Sequence, residues 1–287
     1  MSPTLLARVA PPLFVLIWAT GFIVARTVAP HTEPLTFLLV RYALAILVLA
    51  VIVSIARVPW PRDGRTWLNS LIAGVLLHGF YLGGVFWAVK NGLPAGITAL
   101  VAGLQPLVTG LLAMPLLGER VSPRRWLGIG LGFLGAILVI LPKLGAGAPP
   151  LALCAAILAM LSITLGTIWQ KRTAGTLDMR VNAVIQYIGA ALVTAPVVLL
   201  TENGRMDMSW PLLFGLAWAV LGLSIGAIGL LLYLIRHGAV TGVATLLYLV
   251  PPVAAVMAYL LFGETLSLIQ IVGMGCAALG VAVASRN

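Results

Sequence analysis

The chain is a succession of apolar stretches about 20 residues long, joined by short polar turns, and a lipid environment allows such a chain only two kinds of fold. A helix rising ~1.5 Å per residue needs about 20 residues to cross roughly 30 Å of hydrocarbon. Every backbone N–H and C=O in hydrocarbon must find a partner within the protein, so only helices or closed barrels span it. The stretches lack the strict alternation of barrel strands, and an all-α integral membrane protein is expected. Ten candidate transmembrane helices cover 12–29, 35–56, 67–89, 95–117, 125–142, 150–170, 181–200, 211–235, 241–262 and 268–284. No connection between them is long or polar enough for a soluble domain.

Composition agrees. Charged residues make up 8% of the chain and hydrophobic ones 61%, against about 25% charged in a soluble domain. The net charge of +10 does not point to nucleic acid, because the basic residues fall one to three at a time between apolar runs instead of on one face. Cys154 and Cys276 both lie in apolar runs with no disulfide or metal-ligand spacing, so they are packing residues, and no metal or cofactor is expected. Arg8 followed by an apolar run resembles a signal peptide, with Val28-Ala29 imitating a cleavage site. Pro30 follows at once and further apolar runs come after, so the first span is expected to remain uncleaved.

The two halves of the chain repeat one another at an offset of 145 or 146 residues. Gly21 matches Gly166, Arg26 matches Lys171, and Tyr42 matches Tyr187. Lys90-Asn91-Gly92 matches Arg236-His237-Gly238, and Gly96 matches Gly242. Pro106 matches Pro251, Gly118-Glu119 matches Gly263-Glu264, and Ser122 matches Ser267. Gly128, Gly130 and Gly135 match Gly273, Gly275 and Gly280. The units are residues 1–144 and 150–287, with a short Gly/Pro-rich linker at 145–149. Two membrane repeats with a site between them are the pattern of a transporter.

The basic residues set the orientation. Twelve fall on the side of the N-terminus: Arg8, Arg57, Arg62, Arg65, Arg120, Arg124, Arg125, Lys171, Arg172, Arg180, Arg236 and Arg286. Four fall on the other side: Arg26, Lys90, Lys143 and Arg205. This bias puts both termini in the cytoplasm. Ten spans in two repeats make five per repeat, and an odd number inverts the second repeat relative to the first.

Trp18 to Arg26, Pro34 to Arg41-Tyr42, Gln105-Pro106 and Gly118-Glu119, with their counterparts in the second half, resemble the drug/metabolite transporter superfamily, in particular its ten-helix EamA-type members. The resemblance covers nearly the whole chain. It implies efflux or uptake of small metabolites through a central cavity formed mainly by the first, third and fourth helices of each repeat. It also implies that the fifth and tenth helices support the two halves. Within the superfamily the chain looks like bacterial exporters of amino acids, including the aromatic amino acid exporter branch, in the cytoplasmic (inner) membrane.

The polar and aromatic residues within spans are the candidates for the site. All seven acids, Glu33, Asp63, Glu119, Asp178, Glu202, Asp207 and Glu264, sit in loops or at span ends. A proton- or sodium-coupled carrier usually keeps a carboxylate within the membrane, so transport here is expected to follow the substrate gradient or to be coupled through His78. The same absence argues against a membrane-embedded enzyme, which needs a catalytic cluster, and against an efflux pump for toxic cations, which needs a buried acid. Arg41 lies about six residues into its span, roughly 9 Å from the end. It is either a snorkelling or packing arginine or a carboxylate partner or gate residue, and its counterpart is the neutral Gln186. His78, near the middle of the third span, with Tyr81 one turn on, is a hydrogen-bonded structural group or a cavity residue that senses protonation.

Gln105-Pro106 and Pro251-Pro252 are repeat-related helix-break or gating candidates, because proline removes a backbone donor and frees carbonyls that water, other helices or a ligand must satisfy. Trp60, Trp67, Trp126 and Trp210 fit an interfacial belt. Trp87 and Trp169 fit either that belt or a cavity wall, while Trp18 and Tyr248 lie deeper. The substrate-binding candidates are therefore Trp18, His78, Tyr81, Gln105, Trp169 and Tyr248. Glycine pairs such as Gly79/Gly83, Gly128/Gly132 and Gly222/Gly226 are expected to let helices approach closely. The expected function is that of an alternating-access secondary transporter, exporting amino acids or similar small metabolites and working as a monomer with no partner beyond substrate and lipid. A broad-specificity drug efflux pump is the alternative.

Overall fold

A computed structural model describes residues 5–93, 101–118, 120–141, 149–173, 175–238, 240–263 and 266–285. The expected linker at 145–149 falls outside these residues apart from Pro149, as do Gly96, Glu119, Lys143, Glu264 and Arg286. The described chain is helical but for short connections and one isolated antiparallel bridge, Thr32 to Met206. The helices are α1 Leu5–Val28, α2 Pro34–Ile55, α3 Gly64–Lys90, α4 Gln105–Leu117 and α5 Pro123–Ile140. The second half continues with α6 Pro150–Thr173, α7 Met179–Thr201 and α8 Trp210–His237. It closes with α9, made of Val240–Leu246, Leu247–Leu249 and Val250–Phe262, and α10 Leu268–Ser285.

Seven of these are long and apolar enough to cross a membrane: α1, α2, α3, α6, α7, α8 and the Gly242–Leu261 part of α9. The difference from the ten expected spans lies in three helices. The described part of α4 restarts at Gln105 after a turn at 103–104. α5 carries Arg124 and Arg125 in its first turn, and the Leu268–Ala284 stretch of α10 is apolar but shorter. The surface is that of a membrane protein: Leu199 and Leu200 are 82% and 85% exposed, whereas Thr164, Gln186, Ser224 and His78 are at most 1% exposed. Polar side chains point inward because lipid offers them no hydrogen bond.

Helix starts are set by local chemistry in most places. Asp63 caps α3 through the Thr66 N–H at 2.8 Å, and Asp178 caps α7 through the Arg180 N–H at 2.8 Å. The Arg180 guanidinium bonded to Asp178 holds that carboxyl below its ordinary pKa. α2 is different. Its own cap residue, Glu33, makes no side-chain cap bond. The carboxylate of Glu202, from the far end of α7, accepts instead from the N–H groups of Leu35 (3.1 Å) and Thr36 (2.7 Å) and from the Thr36 hydroxyl (2.8 Å). An anion at the positive end of a helix dipole is favourable, and Lys90 at the end of α3 completes the group at 3.5 Å. Glu33 turns outward and accepts from the N–H groups of Asn203 and Arg205.

The start of α2 thus meets the end of α7, so the two helices run antiparallel. They are equivalent helices of the two repeats, and the axis relating them therefore lies across the helices, as an inverted repeat requires. α5 and α10, the fifth helix of each repeat, make the most extensive helix contact among the described residues, with α3 and α6 next. Glycines permit the α5–α10 approach. A Cβ on Gly135 would overlap the backbone of Ala277, and one on its repeat mate Gly280 would overlap the backbone of Gly132. The two third helices share a further feature. α3 loosens to π geometry over Val75–Phe80 and α8 over Ala219–Ala227, stretches that match at the repeat offset.

Two pairs of substitutions test these contacts by thermal unfolding in detergent. Glu202→Ala is expected to lose about 1–2 kcal/mol through the bonds at the start of α2, while Asp207→Ala, which breaks an exposed pair with Arg205, changes stability by less than about 0.5 kcal/mol. Gly135→Leu is expected to prevent recovery of monodisperse protein, while Gly130→Leu, whose Cβ position has nothing within 4 Å, leaves recovery unchanged.

Candidate functional site

Two polar groupings lie inside the bundle. The first surrounds a void where α1, α4, α6, α8 and α9 converge, so both repeats contribute to it. Phe14, Trp18, Ile163, Thr167 and Leu231 form most of its wall, and Gln105 brings the amide. The void measures about 10 Å³, room for roughly one water. Gln105 is 2% exposed and its Nε2 has no partner. One turn on, the buried Thr109 hydroxyl also has none. Thr167 is satisfied locally, donating to the Thr164 carbonyl at 2.8 Å.

The helix breaks beside this void differ from the expectation. Pro106 stands in the first turn of α4, after the turn at 103–104, and Pro251 and Pro252 stand in the first turn of Val250–Phe262, after the 3-10 turn Leu247–Leu249. At the first turn a missing N–H costs nothing. The helices are therefore interrupted before the prolines, and the prolines restart them instead of kinking them.

The second grouping lies where α2, α3, α7 and α8 cross, and it is built in matched pairs. The Tyr42 hydroxyl donates to the His78 carbonyl at 3.0 Å, and the Tyr187 hydroxyl donates to the Ser224 carbonyl at 2.7 Å. His78 and Ser224 are themselves repeat mates, 146 residues apart, each in a π stretch. Tyr42 stacks on Tyr187 with ring centroids 5.9 Å apart, and Tyr187 stacks on His78 at 4.8 Å. The other pair of contacts is matched in position and different in chemistry. Arg41 Nε donates to Ser224 Oγ at 2.7 Å, while His78 Nε2 meets Gln186 Oε1 at 3.3 Å. Gln186 Nε2 goes on to Gln170 Oε1 at 2.6 Å, and His78 Nδ1 has no partner.

Of the residues singled out from sequence, Trp18 and Gln105 line the void. Tyr81 and Trp169 pack with Trp18 around Ala73, Leu77 and Ile163, and Trp169 Nε1 donates to the Asn69 carbonyl at 3.1 Å, so they buttress the wall without lining it. His78 belongs to the second grouping. Tyr248 is away from both. Its ring packs with Ile129, Ala136 and Val281 on the α5–α10 pair and covers Gly132, which corrects its expected place in the cavity. The bare glycine there leaves the space that the ring fills. Arg41 is 6% exposed and does not snorkel. Tyr42, Tyr187, Gln186, Ser224 and Gln170 were not identified as site residues from sequence. The repeat offset already paired Tyr42 with Tyr187 and Arg41 with Gln186, and extending it to His78 and Ser224 would have exposed the group.

Known proteins fit this geometry. The model of the EamA-like transporter family matches residues 12–141 and 150–286. The chain is 25% identical to the "Uncharacterized transporter YvbV" of Bacillus subtilis, over 91% of this chain and 85% of that one. It is 28% identical to the "Uncharacterized inner membrane transporter YedA" of Escherichia coli, over 91% and 84%. A "Probable amino-acid metabolite efflux pump" of Escherichia coli matches at 26% identity over 56% of this chain and 52% of that one. One crystal structure shares the fold with a TM-score of 0.83 at 19% identity, covering 96% of this chain and 95% of the other. Both halves of the chain wall the void, the family model accounts for both halves, and the protein belongs to the EamA-like transporter family of membrane transporters.

Proposed function

We propose that this transporter is an alternating-access carrier that exports small amphipathic metabolites, amino acids foremost, across the bacterial inner membrane. It acts as a monomer, with ten spans, both termini cytoplasmic, and repeats at 1–144 and 150–287. The observation that carries the reading is the small void lined by both repeats, with Gln105 Nε2 unpartnered among the described residues, a mostly apolar wall and the Trp18 ring beside it. An apolar wall with one free hydrogen-bonding group suits a substrate with an apolar side chain and a polar head. The similarity to a probable amino-acid metabolite efflux pump supports the substrate class. The Trp18 face favours aromatic or bulky apolar members of that class.

Net flux follows the substrate gradient or is coupled through His78, because every described carboxylate lies at a helix end. The helix breaks before Pro106 and before Pro251 and Pro252 lie next to the void and are where the wall gives way on opening. A broad drug efflux activity is the second reading, favoured by the apolar lining. It predicts transport of apolar dyes that lack any carboxylate.

Flux of labelled amino acids into proteoliposomes decides between these readings. Saturable transport of leucine, phenylalanine or tryptophan is expected, and transport of dyes with no amino acid flux would overturn the substrate assignment. Gln105→Ala is expected to lower flux by about 3- to 10-fold, the worth of roughly one neutral hydrogen bond, without loss of thermal stability. Tyr248→Phe, which changes a residue on the α5–α10 support, is expected to leave flux within about twofold of wild type.

A further inference from the structure

The least explained group in the molecule is the Arg41 guanidinium. It lies seven residues into α2, about 10 Å along the helix, and is 6% exposed. Its one hydrogen bond among the described residues joins Nε to Ser224 Oγ. Among the described residues it forms no ion pair. The described carboxylates are all at helix ends, and those of Asp178, Glu202 and Asp207 pair with Arg180, Lys90 and Arg205. A buried charge without a partner is costly within a membrane and marks a functional group. The fold does not need one there, since the repeat mate in the equivalent position is the neutral Gln186, which holds His78 through its amide.

The surroundings are built for a guest of opposite sign. The nearby hydroxyls of Tyr42 and Tyr187 donate their protons to backbone carbonyls and offer Arg41 no opposite charge. A cleft of about 260 Å³ runs between α2, α7 and α8 from a rim at Met179, Arg180 and Tyr233 down to Ser224, the residue that receives the Arg41 bond. Its remaining wall is apolar, formed by side chains such as Leu49 and Leu230, and contains no acid among the described residues.

We propose that Arg41 is the counter-charge for a small monoanion, a carboxylate or a halide, that reaches it through this cleft and binds beside Ser224. The carboxylate version rests on the carrier reading above, because the substrate's own head group would then be the ligand. The halide version does not. Binding leaves the two Nη donors of Arg41 to face the anion while Nε stays on Ser224. Recognition by a fixed guanidinium selects the carboxylate over the corresponding amide.

The test is thermal unfolding of the full-length protein in nanodiscs, in buffer whose only anion is the bulky HEPES sulfonate. Acetate and L-leucine are expected to raise Tm by about 3 °C at roughly tenfold excess over Kd, and acetamide and L-leucinamide are expected to do nothing. Chloride, tried alone, separates a halide site from a carboxylate site. Arg41→Gln, which copies the repeat mate, is expected to match or exceed wild type in the anion-poor buffer and to lose the response. Arg41→Lys is expected to keep a weaker one. Destabilisation of Arg41→Gln in that buffer, an equal response in Arg41→Gln, or wild-type Tm indifferent to every anion would overturn the proposal. Leucine flux in Arg41→Gln proteoliposomes equal to wild type would remove the carboxylate role while leaving the carrier reading intact. Absent flux in wild type with an intact anion response would overturn the carrier reading and leave the anion site standing.

Discussion

The stacked pair of Tyr42 and Tyr187 is the contact on which both halves of the molecule turn. The two residues are repeat mates, so their contact lies on the axis that relates the halves. Each hydroxyl then crosses to a carbonyl in a π stretch of α3 or α8, where the regular α-helical bonding register is interrupted. In a medium without water, such an interruption is tolerated only if neighbouring groups satisfy the backbone. The tyrosines therefore help α3 and α8 to loosen inside the bundle. The same loosening brings His78 and Ser224 into the polar group, at positions where π turns commonly mark function.

A two-fold contact of this kind has a consequence for the alternating access proposed above. Exchange of conformation between inverted repeats maps Tyr42 onto Tyr187 and the Tyr42–His78 bond onto the Tyr187–Ser224 bond. Contacts on the axis can therefore persist through the exchange, while contacts off the axis must change. The α5–α10 pair obeys the same logic, since Gly135 and Gly280 are repeat mates that make equivalent close approaches. The void at Gln105 and Trp18 also brings repeat mates together, since Trp18 and Ile163 both line it. The Glu202 carboxylate, holding α2, α7 and the end of α3 together at one end of the bundle, has no like partner in Asp178, which serves its own helix and Arg180.

Helical class, the internal repeat and the family were legible in the chain because each depends on patterns that survive without coordinates. Apolar length dictates helices, and an offset held at 145 or 146 over many residues dictates two units. Part of the site was legible too. Gln105, Trp18 and His78 stand out as polar or aromatic groups in apolar runs, and all three lie in or beside the inner groupings. Tyr248 stood out for the same reason and packs on the support helices instead, because periodicity cannot say which face of a wholly apolar helix meets which neighbour.

What the sequence alone determined is therefore the medium, the helices and the duplication, since these follow from composition and spacing along one dimension. Tertiary structure alone decided that a carboxylate at position 202 starts a helix at position 34, and that prolines restart helices already broken. It also decided that a buried arginine faces a serine and not an acid. These are meetings between residues far apart in the chain, and they depend on the angle and rotation at which helices cross. Side-chain volumes set that angle, and glycines mark the places where backbones touch.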